Sequence, residues 1–188
     1  MTKIKKWKVL QSDWVLNHKW CQVRQDKVQL PNGTIIDDYF VTIRPDIALV
    51  FPVTSENQVV FVRQYRHGLR EILLELPAGA FNPLEETGAV AATRELREET
   101  GYIAQTMIPL AVLSDNPVKD TNKIHLYLAE NVQPSPHRDL DITEEIEIVL
   151  IPLTEVMTKI MNGEIYIAGS VAASFLALEF FRIRPPRH

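Results

Sequence analysis

A mixed β-sheet covered by helices, preceded by a small antiparallel β-region, is the fold class this 188-residue sequence predicts, an α/β arrangement of the α+β kind. Three observations carry it. Residues 7–43 alternate polar and apolar at a period of two, the middle of the chain sets apolar runs around one alanine-rich helical segment, and two helical segments come late. Strands and helices are mixed rather than strictly alternating, which argues against a doubly wound sheet. An apolar content of 46% with 23% charged residues is that of a globular chain and excludes a disordered or fibrous one.

The first region holds WCQVRQDKVQL and TIIDDYFVTI, separated by Pro31, Asn32 and Gly33, which reads as a hairpin or small antiparallel sheet. Arg44, Pro45 and Asp46 break that pattern, so a β-region over 1–45 and a main domain over 46–188 are expected. IALVFPV and QVVFVRQY follow as strands, joined by Ser55, Glu56 and Asn57. ILLELPAG reads as one further strand ending at Pro77 and Gly79. A helix is predicted from about Thr87 to Thr100, stopped by Gly101 in the left-handed conformation. MIPLAVL, KIHLYLAE and EIEIVLIPL are strands, LTEVMTKIMNG and SVAASFLALEFF are helices, and RIRPPRH is a frayed tail.

A net charge of −4 and a pI near 5.7 provide no overall positive field for nucleic acid or a membrane surface, so an anionic ligand must be met by local arginines or a metal. Cys21 is the single cysteine, which excludes an internal disulfide and a thiolate zinc cluster and fits a reducing compartment. The N-terminal stretch MTKIKKWKVLQSDW lacks a signal-like apolar core, and VAASFLALEFF is short and broken by Glu179. A cytoplasmic protein is expected.

The most informative segment is RELREETGY, Arg94–Tyr102. On a helix Glu95, Glu98 and Glu99 are related by three and four residues and share a face, while Ala89, Ala92 and Leu96 form another stripe to bury against the sheet. Three carboxylates together repel, so a positive group belongs among them. A solvated face with an Arg94–Glu98 pair would satisfy a generic glutamate-rich helix, but five residues in this register arise by chance about once per million positions. Carboxylates without histidine or thiol partners suit a hard cation, Mg²⁺ or Mn²⁺.

These residues resemble the Nudix hydrolase signature: Gly79, Glu86, Arg94, Glu95, Leu96, Glu98, Glu99, Gly101 and Tyr102 take its positions. The spacing from Gly79 to Arg94 is one residue longer than the family pattern, and Leu84 stands where a turn glycine is common, so Glu85 and Glu86 compete for the first glutamate position. VRQYRHGLREILLELPAG before the helix, and Pro117 fifteen residues past Tyr102, are similar to ADP-ribose pyrophosphatases and related nucleoside diphosphate sugar hydrolases, although Val118 replaces the glycine that usually follows. The resemblance implies a mixed sheet in an α-β-α sandwich and hydrolysis of the diphosphate of ADP-ribose or a related nucleotide sugar. A non-catalytic nucleotide-sugar sensor, a GDP-mannose hydrolase and a dinucleoside polyphosphate hydrolase are the alternatives. It implies a metal held by Glu95, Glu98, Glu99 and the carbonyl of Ala78, with Arg94 orienting a glutamate or forming a plain helix ion pair. Glu144 takes the place of the catalytic base, with Glu145 and Glu147 as rivals. Arg66 and Arg44 fall at diphosphate-binding positions, Trp20 and Tyr39 at candidate base-stacking positions, and His67 and His125 read as structural. The resemblance also implies a homodimer whose N-terminal regions cross to the partner.

Overall fold

The computed structural model describes residues 3–135 and 145–183. The chain separates into two compact units, residues up to Pro45 together with Ser114–Asn122, and Asp46–Leu113 together with the chain from Lys123 onward.

In the first unit, β1 (Lys8–His18), β2 (Cys21–Gln29) and β3 (Ile35–Ile43) form an antiparallel sheet in that order. The turn before β3 uses Gly33 at φ 89°, a conformation that costs glycine little. Val28 and Val41 are buried, whereas β1 is exposed along its whole length. The Ser114–Asn122 segment is fastened to β3: Thr42 N–H donates to the Lys119 carbonyl at 2.8 Å, Thr121 N–H donates to the Thr42 carbonyl at 3.2 Å, and the Tyr39 hydroxyl donates to the Val118 carbonyl.

The second unit is built on an eight-stranded mixed sheet with α1 (Gly88–Thr100) on one side and α2 (Val156–Met161) and α3 (Ala168–Ile183) on the other. Its main path is β11 (Ile146–Pro152), β5 (Gln58–Arg66), β4 (Asp46–Thr54), β10 (Ile124–Pro134) and β8 (Tyr102–Ile103), with β9 (Ile108–Leu113) on β10. Only β4 and β10 run parallel among these pairs of described strands. The two-residue period of β4 supplies both layers. Leu49, Phe51 and Val53 join Leu126, Leu128, Ala173 and Ala177 in one core, while Ala48 and Val50 join Val60, Ala91, Ala92 and Leu96 in the other.

The segment read as one strand, ILLELPAG, is two. β6 (Glu71–Glu75) pairs with β5, and after Leu76 and Pro77 the chain shifts to β7 (Ala78–Phe81), which pairs with β4. Proline has no N–H for a ladder, so the strand breaks there, and the Pro77 carbonyl instead accepts from Val50 N–H at 3.0 Å. The swap fills a gap. β4 and β5 pair at Val53 and Val59 and then diverge, with β6 and β7 lying between them.

Candidate active site

The helix that carries the carboxylates is fixed at both ends. Thr87 Oγ1 accepts from the Val90 N–H at 3.4 Å, and Gly101, at φ 72°, donates its N–H to the Arg97 carbonyl at 2.8 Å. A side-chain N-cap and a left-handed glycine each satisfy backbone groups that a helix end otherwise leaves open.

The helix face differs from the one the sequence predicts. Glu95 and Glu99 do not stand apart from the buried stripe: they belong to it, with Gly88, Ala91, Ala92, Leu96 and Thr100, and are only 9% and 3% exposed. Glu98 lies at the edge of that stripe. A buried carboxylate needs donors or a cation. The split sheet provides both a donor and room, because β7 presents backbone here rather than side chains. Glu99 Oε2 accepts from the Ala78 N–H at 3.0 Å. Glu95 lies so close over Gly79 that a Cβ there would fall 1.9 Å from its carboxyl carbon, so the glycine is a cradle for this side chain.

Arg94 is the positive group among the carboxylates. Its Nη1 donates to Glu95 at 2.6 Å and Glu98 at 3.0 Å, and its Nη2 donates to Glu86 at 2.8 Å and the Ala80 carbonyl at 3.3 Å. Partial burial works against the guanidinium charge, yet the hydrogen bonds to Glu86, Glu95 and Glu98 and the charge of Glu95 outweigh it and raise the pKa above that of a free arginine. Glu86 rather than Glu85 is therefore the glutamate that joins the cluster. Glu85 accepts from Asn82 at 2.9 Å instead.

The donor set is oxygen only, which is the chemistry of Mg²⁺ and Mn²⁺. The Gly79 cradle and the Ala78 backbone beside Glu99 fit such an ion. As the side chains stand, Arg94 holds Glu95 and Glu98, and among the described residues no three acidic, histidine or cysteine groups are gathered as a ligand set. A groove of about 610 Å³ also runs along α1, bordered by Val90, Thr93, Arg94, Arg97, Ile103 and Met107. Its lining includes no carboxylate, so it offers no comparable chemistry.

Residues 43–167 match the profile of the NUDIX domain, two thirds of the chain. The chain belongs to the Nudix hydrolase family. Residues 7–42 match the nucleoside diphosphate sugar hydrolase N-terminal domain, which places this Nudix hydrolase in the subgroup that includes ADP-ribose pyrophosphatases. It is 31% identical to a methanol dehydrogenase activator of Bacillus methanolicus over 95% of this chain and 97% of that one. It is 29% identical to an ADP-ribose pyrophosphatase of Bacillus subtilis (88% and 89%) and 31% identical to one of Mycobacterium tuberculosis (87% and 81%). In structure it matches a crystallised ADP compounds hydrolase with a TM-score of 0.88 at 24% identity, over 98% and 99% of the two chains, which shows the shared fold. The protein is thus an enzyme that hydrolyses nucleoside diphosphate derivatives, in a family that generally uses a divalent metal.

The remaining predicted residues of this Nudix hydrolase lie as follows. Arg66 donates from Nε to Glu75 at 2.7 Å, a buried glutamate that the sequence reading passed over although a charge inside ILLELPAG was the available signal. Glu147 is exposed, paired with Arg63 at 2.8 Å, and lies on the sheet face opposite Ile148, which packs toward α1. Glu145 is exposed, and Glu144 lies outside the described residues. His125 is a structural histidine: its Nε2 bonds Asp46 at 2.8 Å and its ring packs on Phe81. His67 bonds the Tyr65 hydroxyl at 3.1 Å.

In the first unit, Trp20 sits at the β1–β2 turn, 79% exposed, with the Lys19 ammonium 4.9 Å from its ring centroid, so it serves no core role. Cys21 next to it is exposed, and Gln22 is opposite Ile43, so this turn and Arg44 share one end of the sheet. Arg44 donates to Asp120 at 3.3 Å, and its N–H donates to Thr121 Oγ1. Tyr39 packs edge-on to Trp7 and, through Val118, holds the segment that carries Pro117. No helix of the described residues is long and apolar enough to cross a membrane.

Proposed function

We propose that this Nudix hydrolase cleaves the diphosphate linkage of ADP-ribose or a related nucleoside diphosphate sugar in a Mg²⁺-dependent reaction, giving a nucleoside monophosphate and a sugar phosphate. The observation that carries the reading is the pair of buried carboxylates, Glu95 on Gly79 and Glu99 on the Ala78 N–H, with Arg94 holding Glu86 and Glu98 beside them. Two buried acids, one on a backbone N–H and the other paired with Arg94 over a glycine, make sense where a cation and phosphates are to be met. The N-terminal match and the ADP-ribose pyrophosphatase relatives support the substrate class.

Glu95, Glu98, Glu99 and the Ala78 carbonyl would hold the metal, which when bound neutralises phosphate charge and lowers the pKa of water. Arg94 positions the glutamates by its three hydrogen bonds to Glu86, Glu95 and Glu98. Arg66 and Arg44 bind phosphate oxygens, and guanidinium suits that task because of its fixed fork of donors. Trp20 and Tyr39 face the base, with Pro117 shaping that contact. Glu144 accepts the proton of the attacking water as its oxygen bonds to phosphorus and the bridging P–O bond breaks, the bridging oxygen leaving with the other phosphate.

The same reading includes a homodimer with exchanged N-terminal regions. β1 supports it, since Val9, Trp14, Val15 and Leu16 are all exposed on a strand that is exposed along its whole length among the described residues. A cytoplasmic location follows from the substrate class and the lone thiol of Cys21.

The test is incubation with Mg²⁺ and ADP-ribose, ADP-glucose, GDP-mannose and a dinucleoside polyphosphate, with detection of nucleoside monophosphate. ADP-ribose is expected to be cleaved fastest. Tight binding without turnover would mark a sensor instead. The likeness to an activator of methanol dehydrogenase favours a second reading, in which the chain acts on a partner dehydrogenase. Turnover of free ADP-ribose without any partner at full rate counts against it.

A further inference from the structure

The sheet face beneath α1 contains one polar group whose presence folding does not explain. Val60 of β5 packs with Ala91, Ala92 and Leu96, and the two-residue period carries that face through Val62, Gln64 and Arg66. Register places Leu73 of β6 opposite Gln64 on one side and Ile146 of β11 on the other, and both are buried. Gln64 is itself 6% exposed, and its Nε2 finds no hydrogen-bond partner among the described residues. A buried donor left unmet is costly, and such groups in a native fold call for a cause. With Val62, Leu73, Ile146 and Ile148 around it, a methionine or leucine would serve packing better.

The position suggests the cause. Gln64 precedes Arg66 by one step on the same face, and Glu75, which takes the Arg66 Nε, is opposite Val62, the other neighbour of Gln64 on that face. Beyond Glu75 the chain passes through Pro77 to Ala78 and Gly79, where Glu99 and Glu95 sit. The amide donor therefore lies in the part of the sheet where β4 and β5 have diverged, among the groups read above as meeting phosphate.

We infer that the Gln64 carboxamide is a substrate-binding group: its free N–H donates to an oxygen of the bound diphosphate, beside Arg66. This rests on the diphosphate reading proposed above. The amide is neutral, so it adds no charge to a site already supplied with arginine. It fixes where the diphosphate lies, at the expense of an unmet donor in the free protein. Stability and binding then respond to its removal with opposite sign.

Gln64→Met, similar in length and without the donor, tests this. Its melting temperature should equal or exceed that of the wild type, while kcat/KM for ADP-ribose with Mg²⁺ falls about tenfold to a hundredfold, chiefly through KM, as expected for a hydrogen bond to a charged group. Gln64→Glu keeps the shape but sets a carboxylate against the diphosphate, and should lose more; it serves as the second variant if methionine fails to fold. A glutamine that is merely structural would lose melting temperature along with activity, or change neither, and either result overturns the inference while leaving the hydrolase reading intact. If the wild type cleaves no diphosphate, the hydrolase reading itself fails. Calorimetric titration of ADP-ribose into the metal-free proteins then decides the contact separately: about tenfold weaker binding by Gln64→Met upholds it, and equal affinity or no binding by the wild type overturns it.

Discussion

Helix α1 and strand β1 are each rich in groups that look misplaced, carboxylates in the first and large apolar side chains in the second, and they resolve the conflict differently. In α1 the misplaced groups are answered within the chain. Glu99 has the Ala78 N–H, Glu95 has the space over Gly79, and Arg94 gathers Glu86, Glu95 and Glu98. In β1 no described residue covers them: Trp14, Val15 and Leu16 stay exposed although the strand pairs with β2 from Lys8 to His18, with irregularities at Leu10 and Val15. A site assembled inside one unit reads as preorganised chemistry, whereas the apolar strand exposed among the described residues is the surface proposed above for a second copy.

The comparison can be broken at its strongest point by Glu99→Gln. The amide oxygen can still accept from the Ala78 N–H, so the fold should hold, while kcat falls by roughly a hundredfold or more because the charge is gone. A variant that unfolds would make Glu99 structural. Gly79→Ala should come next. Its Cβ displaces only the flexible end of Glu95, so steady-state kinetics should show a loss of about tenfold to a hundredfold, with stability changed by less than about 1 kcal/mol. On the β1 side, Trp14→Asp places a charge on the exposed apolar strand, and size-exclusion chromatography should show a dimer shifting to monomer; an unchanged elution volume would separate β1 from assembly. The smallest effect is expected from Arg94→Met in denaturant unfolding. It leaves three carboxylates without their shared partner, but Arg94 is one third exposed, so the loss is about 1–2 kcal/mol.

Much of this was legible in the sequence, for reasons tied to range. The limits of α1 follow from local chemistry, Thr87 as the cap and Gly101 as the stop, and the alternation in β4 and β5 reported their burial directly. The Nudix signature pointed to Glu95, Glu98 and Glu99 without any coordinates. What was not legible depended on partners distant in sequence. That Glu95 and Glu99 lie on the buried stripe depends on β7 offering backbone beneath them, and no helical periodicity contains that fact. The break at Pro77 was visible as a strand end, but the change of partner from β5 to β4 was not, since pairing is a tertiary choice. Tyr39 read as a stacking ring; its hydroxyl on the Val118 carbonyl spans 79 positions and could not be read from a local pattern.

We propose that the carboxylates held under α1 by Arg94 and by the β7 backbone carry the hydrolysis performed by this Nudix chain. The most direct test is AMP release from ADP-ribose with Mg²⁺, measured for wild type and Glu99→Gln side by side at matched folded concentration. Rapid release by the wild type and a loss of roughly a hundredfold or more in the variant is the predicted result. Equal rates for the two proteins, or no release by a folded wild type, would contradict it.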